Sequence, residues 1–195
     1  MRIAVITARW QSERFPGKML ADICGQPMLQ HIIDRLWESQ VDDVVVATTL
    51  SSDPIIDYCR ANYIPHYIGS EEDILSRIYN AADGQEGDRI IRIWGDCPLI
   101  NPDDIDSVLE MSGYSYIYFK GKAKGLGFAI ITLSKLKHDY ETLTDPQDRH
   151  WYHNYCLRQD GILTIGEYES DINYSVDTQE DLERIREIVR NQSCV

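Results

Sequence analysis

The first half of the chain alternates between continuous apolar runs and stretches in which apolar residues recur at helical spacing. Runs rich in Val and Ile predict buried strands, and stripes with a period near 3.6 predict amphipathic helices. The predicted strands cover 2–8, 41–49, 65–69 and 89–94. The predicted helices cover 27–39, 53–63, 70–84 and 101–113. This alternation predicts an α/β sheet whose early strands run parallel.

The pattern changes after residue 113. Two strand-like runs, at 114–119 and 127–133, flank a turn rich in Lys and Gly. A helix at 148–159, a strand at 161–168 and a closing helix at 177–192 are expected to follow, the last with Asp177 or Thr178 as its cap. We expect a mixed sheet with an antiparallel element late in the chain. Since no repeat or linker interrupts the pattern, residues 1–195 are interpreted as one domain.

Composition narrows the function classes. The 195 residues are 43% hydrophobic, enough for a core, and the formal net charge of −13 argues against bulk nucleic-acid binding. No apolar stretch reaches the roughly 18 residues of a membrane span, and no signal-peptide cleavage pattern follows the N-terminal run. The cysteines lie at Cys24, Cys59, Cys97, Cys156 and Cys194. They form no CxxC pair, so a cytoplasmic protein with reduced thiols is expected.

A cationic loop stands out against this acidic background. Arg9, Arg14 and Lys18 lie in "ARWQSERFPGK", directly after the first predicted strand. The loop lacks the GxxxxGK[ST] spacing of a P-loop. Guanidinium groups and a lysine ammonium at the end of a strand nevertheless suit the oxygens of a phosphate. The alternative is a basic loop that is simply solvated.

Two aspartates are candidates for a metal site at the same edge of the sheet. Asp96, in "WGDCP", follows the fourth strand, and Asp177, in "YSVDTQEDL", is expected at the end of a short strand. Ligands of open α/β sheets bind beyond the carboxyl ends of the strands. Mg²⁺ is typically held by one or two carboxylates together with substrate phosphates. The alternatives are a turn residue for Asp96 and a helix N-cap for Asp177.

Other polar groups carry weaker signals. The hydroxyl-rich segment "VATTLSSD", at 46–53, suits a base or ribose pocket, although ordinary turn chemistry explains it equally well. His150 and His153 lie three residues apart near Arg149. Without a third ligand, a substrate contact or simple packing is favoured over a metal pair.

Five blocks of the chain, in this order, resemble a known family. They read "TARWQSERFPGKMLADICGQPMLQHIIDRL", "VVVATT", "GSEEDILSRIYNAA", "RIWGDCPLI" and "YSVDTQEDLERI". The chain is similar over nearly its whole length to the cytidylyltransferases that activate acidic sugars, including the KDO and acylneuraminate enzymes. The nearest branch is the spore coat polysaccharide biosynthesis protein F type.

The resemblance implies a fold and an activity. The fold would be a Rossmann-like nucleotidyltransferase domain of the glycosyltransferase-A type, a three-layer sandwich with a mixed, mainly parallel sheet. The activity would be CTP-dependent transfer of CMP, with release of pyrophosphate, for cell-surface polysaccharide or related metabolite synthesis. The acceptor would be an acidic sugar or another compound bearing a phosphate, phosphonate or carboxylate. Mg²⁺ as cofactor and a homodimer are also implied.

The resemblance further implies roles for individual residues. The nucleotide-binding set would be Ala8, Arg9, Ser12, Arg14, Lys18, Ala47, Thr48, Asp73, Arg77 and Asp96. Arg14, Lys18 and Asp96 would be the catalytic members, and Asp96 and Asp177 would hold the metal. Arg149, His150 and His153 fall where acceptor contacts are expected.

The chain departs from the family pattern in its middle. The region 114–170 is shorter than in typical members, and the segment "DRHWYHN" replaces a different block. One alternative is a glycosyltransferase of the same fold, which is disfavoured because such enzymes usually carry a DxD pair where this chain has the single Asp96. Another is a non-catalytic homologue, which would bind a nucleotide without turning it over.

Overall fold

The computed structural model describes residues 1–85 and 87–192, and within these ranges the central element is a seven-stranded sheet. The strands are β1 (Arg2–Thr7), β2 (Asp22–Ile23), β3 (Gln26–Pro27), β4 (Asp43–Thr49), β5 (His66–Gly69), β6 (Arg89–Trp94), β7 (Tyr116–Phe119), β8 (Phe128–Thr132) and β9 (Ile162–Ile165). The sheet has the order β5-β4-β1-β6-β8-β7-β9, while β2 and β3 form a separate small hairpin.

The helices connect these strands. They are α1 (Met28–Trp37), α2 (Asp53–Ala61), α3 (Ile74–Ala82), α4 (Pro102–Leu109), α5 (Leu133–Thr142), α6 (Pro146–His150), α7 (Tyr152–Cys156) and α8 (Gln179–Gln192). None of the helices within the described ranges is long and apolar enough to cross a membrane.

The sheet is mixed and mainly parallel. β5, β4, β1 and β6 run parallel to one another, and β9 runs parallel to β7. β8 is antiparallel to both β6 and β7, between which it lies. The predicted parallel first half and the late antiparallel element are therefore confirmed.

The core lies on both faces of this sheet, so the molecule has three layers. On one face, apolar side chains of α1, α4 and α8, such as Ile32, Ile105 and Leu182, pack against the sheet. On the other face, α3, α5 and α7 contribute residues such as Leu75 and Leu136. Continuous apolar strands are expected where a sheet is covered on both sides.

Two helical segments differ from the sequence prediction. α5 was not expected, because its sequence is largely polar and its apolar stripe is short. The hydroxyl of Thr132 caps this helix by accepting from the Lys135 amide. The single helix expected at 148–159 is broken into α6 and α7 at Trp151, whose φ of −95° and ψ of 43° are not helical.

The segment before α8 is extended but does not join the sheet. Its backbone is held by hydrogen bonds from Tyr174 N to Lys124 O (2.7 Å) and from Val176 N to Asp96 O (2.8 Å). The expected short strand before Asp177 is therefore wrong. This segment nevertheless fixes Asp177 beside Asp96.

The caps of α8 and α3 decide which aspartate side chains are free for other partners. Thr178 Oγ1 accepts from the Asp181 amide, while Asp181 Oδ2 accepts from the Thr178 amide, which is a reciprocal capping arrangement. Thr178 is therefore the cap of α8, and the Asp177 side chain is left for other partners. At α3, the cap is Asp73, whose Oδ1 accepts from the Ser76 amide at 2.8 Å.

Substituting Gly125 by Ala is expected to destabilise the protein more than the matched change at Gly113. Both glycines have positive φ, +87° and +89°. A Cβ at residue 125 would lie 2.1 Å from the Ser175 amide nitrogen, whereas one at residue 113 meets nothing within 4 Å. Gly113→Ala should cost about 1–2 kcal/mol of unfolding free energy from backbone strain alone, and Gly125→Ala at least about 2 kcal/mol more.

Chemical denaturation of the two variants checks this expectation. Equal losses of unfolding free energy would show that segment 173–177 does not pack on the Gly125 backbone.

Candidate active site

A cleft of about 750 Å³ opens at the carboxyl ends of β1 and β6. It lies where the topology of an open α/β sheet predicts a ligand site. Among the residues singled out from the sequence, those that line it are Ala8, Arg9, Ser12, Arg14, Lys18, Arg77, Asp96, His150, His153 and Asp177. A smaller depression of about 500 Å³, near Trp37 and Tyr63, has no charged group among its described lining residues and offers no phosphate site.

The cationic loop after β1 is held by packing of its own aromatic residue. The Trp10 amide donates to Ser52 Oγ at 2.9 Å, and the Trp10 carbonyl accepts from the Gly17 amide at 3.0 Å. The Trp10 ring lies so close to Gly17 (φ +77°) that a Cβ there would be 2.9 Å from it. Met19, buried in the core, anchors the end of the loop. Lys18 is therefore presented from a fixed backbone.

Two cations of this loop converge on one carboxylate. Lys18 Nζ donates to Asp177 Oδ1 at 3.1 Å and to the Val176 carbonyl at 2.7 Å, and Arg14 lies 2.9 Å from Asp177 Oδ2. The Lys18 and Asp177 side chains are 11% and 14% exposed, whereas that of Arg14 is 65% exposed. Arg9 pairs more loosely, at 3.8 Å, with Glu71. Lys18 and Arg14 thus form a cationic cradle, which concentrates positive charge around the carboxylate of Asp177.

Asp96 follows β6 and faces the same cleft. Within the described part of the chain, its carboxylate accepts only from the Cys97 thiol, at 3.5 Å. Burial, reinforced by Asp96, raises the pKa of Cys97 well above its usual range, so this neighbour stays a neutral thiol. The Asp96 oxygens are therefore largely free to bind a ligand.

The two aspartates fit a hard divalent cation. Both are carboxylates in one cleft, and the hydrogen bond from Val176 N to Asp96 O keeps their backbones adjacent. Mg²⁺ needs few protein oxygens because water and substrate phosphates complete its coordination. Within the described ranges no cluster of three or more His, Cys, Asp or Glu could hold a metal by itself. The donor set therefore suits a metal that arrives with a phosphate ligand.

Four residues singled out from the sequence lie away from the cleft lining. Ala47 and Thr48 are completely buried in β4. The Asp73 carboxylate, besides capping α3, accepts from Arg149 Nε at 2.7 Å. Arg149 also donates to the Leu143 carbonyl at 2.7 Å. Asp73 and Arg149 thus pair with each other and hold α6 against α3, and neither lines the cleft.

The two histidines occupy different parts of the cleft. His150 Nδ1 lies 2.7 Å from the Glu72 carbonyl, near the surface. His153 lies between the rings of Trp94 and Tyr118, with centroids at 5.0 and 4.6 Å. Its Nδ1 is 2.6 Å from the Tyr116 hydroxyl, which we assign as the donor, because burial raises the Tyr116 pKa and no other described group accepts from it.

Sequence reasoning missed several residues of the cleft wall. Arg92, Trp94 and Trp151 all line it. Arg92 could have been singled out from the sequence, because it is a cation in the interior of the apolar run "RIIRIW". The Trp151 position depends on the break between α6 and α7, which the sequence did not reveal.

His153 should make the protein less stable in mild acid. Burial and the charge of Arg92 lower its pKa from 6.5 to about 4. Below pH 6.5 the unfolded chain therefore binds a proton that the folded chain does not. Stability should fall as pH drops from about 6.5 toward 4, and this component should be absent in His153→Gln.

Chemical denaturation at pH 7, 6 and 5 measures this, with His138→Gln, an exposed histidine, as control. The account fails if His153→Gln and the wild type lose unfolding free energy in parallel.

In this cleft, cations from the loop after β1 lie near Asp96, which follows β6, and Asp177, which precedes α8. Such an arrangement is typical of enzymes that bind a polyphosphate. The family model described as Cytidylyltransferase matches residues 3–194. The chain belongs to this family, and it is accordingly a nucleotidyltransferase.

Curated relatives extend the comparison. The uncharacterized protein MJ1063 of Methanocaldococcus jannaschii is 27% identical over 97% of this chain and 83% of its own length. The 3-deoxy-manno-octulosonate cytidylyltransferase of Trichlorobacter lovleyi is 37% identical over 55% of this chain. That match spans only 43% of the relative's length.

Solved structures agree on the fold. A cytidylyltransferase from Leptospira borgpetersenii superposes with a TM-score of 0.83 at 22% identity, covering 99% of this chain and 95% of that one. A CMP:2-keto-3-deoxy-manno-octonic acid synthetase in complex with CTP gives a TM-score of 0.77 at 21% identity, covering 98% and 99%. The expected nucleotidyltransferase fold is therefore confirmed.

Proposed function

We propose that the protein transfers CMP from CTP to an acidic sugar, with release of pyrophosphate. The observation that carries this proposal is the pairing of Lys18 and Arg14 with Asp177, next to the free carboxylate of Asp96. Family membership supports the cytidine nucleotide. The 3-deoxy-manno-octulosonate cytidylyltransferase relative supports an acidic sugar as acceptor.

The cradle cations are proposed to exchange partners when the nucleotide binds. In the structure, Lys18 and Arg14 neutralise Asp177. A triphosphate carries several negative charges on oxygens that suit both a lysine ammonium and a guanidinium fork. When these cations turn to the phosphates, Asp177 is released as a carboxylate in the same cleft as Asp96.

Asp96 and Asp177 are the residues that would hold Mg²⁺. When bound, such an ion supplies charge neutralisation between phosphate oxygens and helps to orient the reacting groups. The carboxylates themselves would fix the position of the nucleotide relative to the sheet edge. Their backbones are held by the 173–177 segment and the β6 turn, so little reorganisation is needed.

In the proposed reaction, a hydroxyl oxygen of the acceptor sugar attacks the α-phosphorus of CTP and loses its proton to water. The bond between the α-phosphorus and the bridging oxygen to the β-phosphorus breaks, and pyrophosphate leaves with that electron pair. Lys18 and Arg14 stabilise the charge that grows on the leaving group, which is the usual contribution of positioned cations to such transfers. No covalent enzyme intermediate is required.

An assay of pyrophosphate release tests the proposal. The enzyme is incubated with Mg²⁺, one of four nucleoside triphosphates, and an acidic sugar such as 3-deoxy-manno-octulosonate or an acylneuraminate. The proposal expects pyrophosphate and a CMP-sugar only when CTP and an acidic sugar are both present. Release with a neutral sugar, or with UTP in preference to CTP, would overturn it.

A further inference from the structure

Arg92 is a buried cation that forms no salt bridge with a described residue, although the charge of Asp96 acts on it at longer range. It lies in β6, is 5% exposed and lines the cleft. Its Nε and Nη1 atoms are shielded from solvent and have no hydrogen-bond partner in the described part of the chain. Its contact with Trp94 is a cation–π interaction, with the guanidinium carbon 4.9 Å from the ring centroid.

Arg77 is a second buried arginine in the same wall of the cleft. It lies in α3 and is 3% exposed. Its Nη1 donates to the Ser70 carbonyl at 2.9 Å, whereas its Nε has no partner within the described ranges. Burial, reinforced by the nearby charge of Arg92, lowers the pKa of Arg77 to about 10. Both arginines line the same cleft.

This arrangement contrasts with other low-exposure cations of the molecule. Lys135 is paired with Asp139 at 2.9 Å, and Arg149 with Asp73 at 2.7 Å. An uncompensated buried charge is costly, because the solvation it loses is not replaced. Two buried arginines with unpartnered guanidinium nitrogens and no salt bridge among the described residues are therefore poorly explained by fold stability and well explained by an anion supplied from outside.

The position of Arg92 separates it from the phosphate cradle. In the sheet Arg92 is paired with Val5, while Trp94 is paired with Thr7, the last residue of β1. Arg92 thus lies about 6–7 Å behind the strand ends. The cradle cations Arg14 and Lys18 belong to the loop beyond them.

We propose that Arg92 and Arg77 form a subsite for the carboxylate of the acceptor sugar. This rests on the proposed function and assigns the acidic group of the acceptor to a defined place. A planar carboxylate matches the planar guanidinium fork and can accept from two N–H groups of one arginine. The anion would supply the missing charge and leave the transferable nucleotide phosphates to the cradle.

Thermal unfolding with pyruvate as probe tests the subsite without requiring the natural acceptor. Pyruvate is the smallest 2-keto acid and carries the carboxylate expected of such a sugar acid. At constant ionic strength, pyruvate in place of chloride should raise the Tm of the wild type by about 3–6 °C near a tenfold excess over its Kd. Pyruvate should not raise the Tm of Arg92→Met or of Arg77→Met. Each variant tests the subsite by itself, so the test still works if one of the two does not fold.

Arg89→Met is the matched control. Arg89 lies in the same strand and also has a buried Nη1 without a partner among the described residues, but it does not line the cleft. Its Tm should respond to pyruvate as the wild type does. In the absence of ligand, Arg92→Met should unfold at the wild-type temperature or above it, because an uncompensated charge has been removed.

Three results would overturn the subsite. These are no effect of pyruvate on the Tm of the wild type, an equal effect on the Tm of Arg92→Met, and a rise in Tm with phosphate as large as that with pyruvate. The last result would assign the subsite to a phosphoryl group.

Calorimetric titration with CTP separates this proposal from the proposed function. Failure to bind CTP, with a pyruvate effect that depends on Arg92, would reject the function and leave the subsite standing.

Discussion

Asp96→Asn is expected to reduce turnover by a factor on the order of a hundred to a thousand while the protein stays folded. The substitution keeps the shape of the side chain and removes the charge that would hold a divalent cation at the end of β6. The Asp96 carboxylate accepts only the weak Cys97 thiol bond among the described residues, so little of the fold depends on it. Pyrophosphate release with CTP and an acidic sugar measures the effect, and Tm reports the fold.

Asp57→Asn is the matched control for this substitution. Asp57 is 76% exposed and lies on α2, outside the cleft. The turnover of the Asp57→Asn variant should equal that of the wild type. Wild-type pyrophosphate release by Asp96→Asn would contradict the assignment of the metal carboxylate.

Lys18→Ala is expected to weaken CTP binding by about ten- to a hundredfold. A hydrogen bond to a charged group contributes about 1.5–3 kcal/mol, and each 1.4 kcal/mol corresponds to a factor of ten in Kd. Lys18 is only 11% exposed, and its loop is fixed by Trp10 and Met19, so no neighbouring side chain can easily replace it. Calorimetric titration with CTP in the presence of Mg²⁺ measures the loss.

Lys137→Ala serves as the control for charge alone. Lys137 is 58% exposed and forms only a 4.0 Å pair with Glu141 on α5. CTP affinity should not change in this variant. Unchanged affinity in Lys18→Ala as well would contradict the phosphate role of the cradle.

The sheet could be predicted from the sequence because its strands are continuous apolar runs. β1, β4 and β6 coincide with such runs, and the Lys- and Gly-rich turn before β8 indicated the antiparallel element. α5 could not be predicted because half of its residues are exposed and tertiary packing stabilises it. The break at Trp151 likewise depends on the surrounding structure and not on a Pro or Gly in the sequence.

The charged edge of the site was predictable for a topological reason. Arg14 and Lys18 follow β1, Asp96 follows β6, and parallel strands bring their carboxyl ends to one edge. The partners of Asp73 and Arg149 were not predictable, because they are 76 residues apart and meet only through the packing of α6 on α3. Asp177 is free of its expected capping role because Thr178 and Asp181 satisfy the end of α8.

The central claim is that this cleft recognises a cytidine triphosphate through the cradle after β1. Calorimetric titration of the wild type with CTP, UTP, ATP and GTP, each with Mg²⁺, tests it most directly. We expect saturable binding of CTP that is at least tenfold tighter than that of the other three. Equal binding of all four, tighter binding of another nucleotide, or no binding of CTP would contradict it.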